Sequence, residues 1–398
     1  MPISGGRRGG LDSRGIAVAM ALIALLVLAP LMIALAALSG SDPVIADNQH
    51  RGAAARALAE SGVEWVVWAL GVRHGGLDAA ELAPAAVAAA PHDGSTFVAL
   101  GDDGGFTVKV TGVSENEVEV ESVGWTSPDR DRGRAHRRVT ARLMRLPDLG
   151  RHAPCAVCVR GDLDVRDSAV VSAAGDTSCG PKPGAAATGR TTVAGQGRVY
   201  GADGNDWPNQ PSDLTTVPRL AAVTLDADAF AVLKALARSH GAYYGPGSPP
   251  PAQTTWTGRV RFDATNPLPA DGVVFVDTAS GRPPTDGDPG DLAMVEFHGA
   301  PFPRGQFHGW IVVMGSVTAF DATGTLNGLL YAVDDVALTG RAEVNGLVVG
   351  ANLQEGGSPA GSIVGGLATV TFDCAQARGA GRVPRGWFLK PGSYREAS

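Results

Sequence analysis

The feature that most constrains this chain is an apolar run near its start: across residues 16–38 no side chain is charged or strongly polar. As a helix rising about 1.5 Å per residue it would extend roughly 35 Å, enough for a ~30 Å hydrocarbon core. Arg7, Arg8 and Arg14 precede it. The positive-inside rule would then keep the N-terminus in the cytoplasm and put the rest of the chain across the bilayer. A cleaved secretory signal is the competing reading, with an apolar core of ~7–15 residues ending at small side chains. The run here is longer, which favours a retained anchor, although Ala36-Ala37 and Ser39-Gly40 would suit cleavage.

An interruption is expected at residues 39–43, where Gly40 and Pro43 fall. Beyond it Ala55, Leu58, Ala59, Gly62, Val63, Val66 and Leu70 recur at three- and four-residue steps, the stripe of an amphipathic helix. Arg56 and Glu60 form an i, i+4 pair on it. Residues 73–93 read as a loop. Two-residue alternation then marks strands at 106–110, 118–123 and 138–145, with a charged loop at 129–134. A helix beside three such strands makes a small α+β head.

The texture changes again further on. Gly309, Gly328 and Gly346 each open an apolar run, and they stand 19 and 18 residues apart. A period near 18 without helical spacing predicts rungs of a parallel β-helix, each coil burying its apolar face against the next. Gly272 lies 37 residues before Gly309, close to two such periods, and residues 159–173 resemble an earlier rung. An irregular β-sandwich with fortuitous glycines is the alternative. Residues 221–239 have the spacing of an inserted helix, and 245–253 form a Pro/Gly-rich loop. The expected class is therefore α+β: a long N-terminal transmembrane and amphipathic helix packed on a small antiparallel sheet, followed by an all-β repeat domain of β-helix type. The divisions are 1–15 as a leader, 16–38 as the transmembrane helix and 39–148 as helix and sheet. Residues 149–376 form the repeat domain and 377–398 a tail.

Cys155, Cys158, Cys179 and Cys374 are the four cysteines. Cys155-x-x-Cys158 lacks a second CxxC or a spaced His pair to complete a zinc site, so structural disulfides are expected, with three connectivities open. No metal or other cofactor is expected. A net charge of −7 gives no electrostatic reason for nucleic-acid binding. Asp162, Asp164, Asp167, Asp334 and Asp335 are the carboxylates that catalysis on a β-helix could use, but they read as solvated turn residues, and no enzyme is expected. His298 and His308 read as loop residues. No P-loop, GxSxG or HExxH motif occurs.

Arg14-Gly15 ahead of the apolar run resembles the leader of type IV pilins. Residues 57–70, with Glu60, Gly62, Glu64, Trp65 and Trp68, resemble the helix of the PilX N-terminal family of type IV pilus assembly proteins. The resemblance covers roughly residues 12–146. It implies cleavage after Gly15 by a prepilin peptidase, methylation of the new terminus at Ile16, and packing against other pilin subunits through the N-terminal helix. It places the chain in the bacterial inner membrane, in contact with lipid, its bulk periplasmic or extracellular on a pilus. Major pilins carry a Glu five residues into the mature chain; here that position is Met20, which suits a minor, accessory subunit. Pro30 would kink the helix. The second expectation is an anchored cell-surface β-helix protein that binds or acts on carbohydrate.

Overall fold

The computed structural model describes residues 13–72, 91–101, 104–114, 116–126, 135–204, 223–248, 250, 253–285, 287–354, 361–384 and 386–397. Residues 1–12 of the expected leader, the charged loop at 129–134, most of the 73–93 loop and parts of the 245–253 loop lie outside them.

Helix α1 (Ser13–Val72) is one unbroken element through both Pro30 and the 39–43 segment, so the expected interruption is absent. Each proline removes one backbone donor, and helical propagation on both sides outweighs that loss. From Ala55 onward α1 lies on an antiparallel sheet of β1 (Asp93–Ala99), β2 (Gly105–Ser114), β3 (Glu117–Trp125) and β4 (His136–Arg145). Ala59, Val63, Val66 and Leu70 meet Phe106, Val108, Val120 and Leu143 in the head core. The close approach depends on Gly62: a Cβ there would strike Ser122 Oγ and crowd the side chains of Val108 and Phe106.

Beyond β4 the chain enters a stack of parallel coils, an arrangement consistent with a β-helix. In chain order its strands are β5 (Val157–Val159), β6 (Leu163–Val165), β7 (Val170–Ser172), β8 (Ala185–Ala187), β9 (Thr191–Val193) and β10 (Arg198–Tyr200). Helix α2 (Ala227–Ser239) follows, capped by the Asp226 carboxylate, which accepts from Ala229 N. Then come β11 (Tyr243–Tyr244), β12 (Arg259–Phe262), β13 (Asp271–Val276), β14 (Ala293–Gly299), β15 (Gln306–Val313) and β16 (Gly315–Ala322). The last coil strands are β17 (Thr325–Ala332), β18 (Val336–Leu338), β19 (Glu343–Gly350), β20 (Ser362–Val364) and β21 (Thr369–Thr371).

Order in space is not order in the chain. One sheet runs β12-β14-β16-β18-β20-β6-β9 and the facing sheet β11-β13-β15-β17-β19-β21-β7-β10. The C-terminal half of β19 pairs with β5, which pairs with β8. The chain thus enters the stack at β5, runs to one end at β10, crosses with α2 to the far end at β11, and coils back. On return, β21 aligns with the first half of β19 and β5 with its second half, so one coil is assembled from two distant segments. Residues 159–173 therefore stand beyond the final coil of the repeat, not before its first. Gly272 pairs directly with Gly309, so the 37-residue gap is one coil with long excursions rather than two periods.

The stack is filled by columns. Phe262, Phe297, Phe320, Leu338, Val364 and Val165 follow one another in register through six levels. The ring centroids of Phe297 and Phe320 are 4.6 Å apart. In the facing sheet Gly272, Gly309, Gly328 and Gly346 make a glycine column. Gly309, Gly328 and Gly346 have φ of 144°, 156° and 146°, and a Cβ on each would strike the carbonyl of the glycine below.

The chain ends back in the head: β22 (Trp387–Leu389) and β23 (Arg395–Ala397) pair antiparallel with β4. The segment expected as a tail is thus part of the sheet.

Two expectations are corrected. The class is mostly β, with 39% strand against 23% helix and most strands in parallel sheets, rather than α+β with a transmembrane helix. Among the described residues no helix is long and apolar enough to cross a membrane. The 16–38 transmembrane span and the single-pass inner-membrane location inferred from it do not stand.

Candidate functional site

The N-terminal arm of α1 stands apart from the rest of the fold. Val18, Met20, Leu22, Ile23, Leu25, Leu28, Leu31 and Met32 are all exposed, and Leu26 and Ile33 reach 77% and 71%. These positions point to every side of the helix, not to one stripe. A helix that is apolar all round is the kind found buried in a core. Gly15 and Ile16 lie in the first turns of α1, and their surroundings fall outside the described side chains.

At the other end of α1 the motif residues separate by role. Gly62 faces the sheet, Trp65 packs 5.0 Å from the His92 ring and 5.9 Å from that of Phe106, and Glu64 points to solvent. Glu60 accepts hydrogen bonds from Tyr394 Oη at 2.7 Å and Arg56 Nε at 2.9 Å. These two donors, the tyrosine first, hold its carboxyl below the usual range. Glu396 adds an ion pair to Arg56 at 3.3 Å. The end of the chain thus clamps the middle of α1, a contact between positions 334 residues apart that no local pattern could have signalled.

The cysteines form two disulfides, Cys155–Cys158 and Cys179–Cys374, with Cα separations of 5.5 and 5.9 Å. Cys374 follows β21 where the chain leaves the stack, and Cys179 lies in the excursion between β7 and β8. The second disulfide therefore ties the exit of the stack to the neighbouring coil. Asp176 beside it accepts from Cys374 N at 2.5 Å.

The Asp residues do not converge as a catalytic set. Asp162 accepts from Arg190 N at 2.7 Å and Asp167 from Gly366 N at 2.8 Å, each stapling adjacent coils. Asp334 and Asp335, expected in solvent, are buried at a turn. Asp334 accepts from Ser316 Oγ at 2.7 Å and Gln354 N at 3.0 Å. Burial, with the Asp334 charge second, pushes the Asp335 carboxyl up to about 6. His298 sits 3.3 Å from the Glu296 carboxylate on β14, and His308 lies in β15 in register with Asn327. Among the described residues no group of three or more His, Cys, Asp or Glu side chains is placed to hold a metal ion.

A cleft of about 450 Å³ lies between α2, with the residues leading into it, and the outer face of the coil stack. Its mouth holds a polar cluster: Asp277 is buried, accepts from Tyr243 Oη at 2.7 Å and forms an ion pair with Lys234. Burial, then the bond to Asp277, pushes Tyr243 up to about 12. Nothing in the sequence drew attention to this place, because its walls come from segments that carry only ordinary core periodicity. Comparisons with protein-family models, curated proteins and solved structures returned no match.

Proposed function

We propose that this chain is an accessory, pilin-like subunit of a helical filament. The arm of α1 packs among the equivalent helices of neighbouring subunits, while the coil stack is carried outside as a binding or adhesion module. The observation that carries this reading is the arm itself: large side chains apolar on all sides, continuous with a helix whose other half is seated on the head. Full burial of each such side chain is worth roughly 1.5–3 kcal/mol, so the arm is a strong driver of association with like helices. The resemblance of residues 57–70 to the PilX N-terminal family points the same way, and Met20 in place of a glutamate suits an accessory position.

The test is the mature N-terminus together with incorporation. Mass spectrometry of native protein should find a chain beginning at N-methylated Ile16, produced by a prepilin peptidase. Leu26→Asp, at the most exposed position of the arm, should abolish co-purification with filaments while leaving the melting temperature unchanged. A chain starting elsewhere, with Leu26→Asp still incorporated, overturns the reading.

A further inference from the structure

We propose that the cleft beneath α2 is a binding site for one amphiphile of a single apolar chain and an anionic headgroup. The site does not depend on the filament reading, since it lies on the stack and uses no residue of α1.

Its floor crosses successive coils on the outer face of the sheet: Phe275, then Met314, then Tyr331 and Val333, then Val349 and Leu353. Arg160, one coil further on, stands at the end. Parallel strands lie about 4.8 Å apart, so four steps make a groove on the order of 19 Å long. The roof is Leu225, Phe230 and Ala231. Its shape is held from below, because Tyr331, buried in the floor, accepts a hydrogen bond from Leu225 N at 3.2 Å. A groove this long with about 450 Å³ of space takes one extended chain, not a two-chain lipid.

Charge selects the headgroup. The lining carries three cations, Arg160, Lys234 and Arg282, against one carboxylate, Asp277. Asp277 is matched by Lys234, and Lys234 also donates to Gly281 O at 3.0 Å. Arg282 is exposed at the Pro283-Pro284 rim, with Nε donated to Ser280 Oγ at 3.2 Å. A planar guanidinium with further N–H groups beside an apolar groove suits a carboxylate in bidentate fashion. An uncharged or cationic amphiphile finds no such partner there.

The experiment is photoaffinity labelling of the full chain with a dodecanoate bearing a terminal diazirine, mapped by mass spectrometry. Saturable labelling on residues 225–234 and 310–353 is expected, competed by dodecanoate and not by dodecanol. Arg282→Ala should raise the half-saturating concentration about tenfold, and Ala231→Trp, which fills the groove, should remove the labelling. Should Ala231→Trp fail to fold, Arg282→Glu reports on the exposed rim alone and should weaken the carboxylate probe further. Labelling confined to residues 18–34, equal competition by dodecanol, or no labelling of these walls overturns the proposal.

Discussion

In the head, one helix covers one face of an antiparallel sheet, and β1 to β4 pair in the order in which they are made. In the coil stack, neighbours in space include β19 and β5, nearly two hundred residues apart in sequence. The head buries its apolar side chains once, between α1 and the sheet. The stack buries them in columns, where each level is both floor and ceiling. The difference sets how damage spreads. A side chain altered in the head disturbs one layer, whereas a backbone altered in a column disturbs the coils on either side.

The sharpest way to break this comparison is the glycine column. Gly328→Val puts a side chain into the Gly309 carbonyl at a φ of 156°, and should cost more than about 4 kcal/mol. Hydrogen exchange should rise across β15, β17 and β19 while α1 and β2–β4 stay protected; equal loss in both regions would mean that they unfold as one unit. Next come the disulfides. Removing Cys179–Cys374, which closes a separation of 195 residues, should cost about 2–5 kcal/mol in chemical denaturation. Removing Cys155–Cys158, with a separation of 3, should cost under about 2 kcal/mol.

Gly62→Ala tests the head in the same terms. It should cost about 1–3 kcal/mol by overpacking, with exchange rising in β2 and β3 and unchanged in the stack. Asp335 gives the stack a pH dependence. Its folded pKa of about 6 lies above an unfolded value near 3.9, so the native state holds its proton more tightly. Stability should therefore fall as pH rises from about 4 to 6, and Asp335→Asn should flatten that slope and gain about 1–2 kcal/mol at pH 7. The smallest effect is at the tail clamp. Tyr394→Phe should cost under about 1 kcal/mol, because the Glu60 site is solvent-screened. The depressed Glu60 pKa means that this contribution is present near neutral pH and lost as pH falls through the folded value.

Much of the local structure was legible in the residues. The alternation at Phe106, Val108 and Val110 marks β2, and the spacing of Gly309, Gly328 and Gly346 marks three stacked coils, because both patterns repeat within one or two turns of chain. Residues 16–38 misled: composition alone reads as a membrane span, whereas among the described residues no helix is long and apolar enough to cross a membrane. Pairings such as β19 with β5 and β22 with β4 leave no periodic mark, since each partner meets the other only once. The cleft was hidden for a related reason. Phe275, Met314 and Tyr331 look like any core residues until α2 is seen to stand off from them.

The composite coil also has a consequence in time. β5 and β7 leave the ribosome about two hundred residues before β19 and β21, their respective neighbours on the open side. At ~5–20 residues per second, this is a delay of roughly ten to forty seconds. Throughout that interval the early coils show an unpaired parallel edge, the kind of template that recruits stray strands. Slowing synthesis beyond residue 200 should lengthen this exposure and lower the yield of soluble protein, whereas slowing it after residue 371 should not.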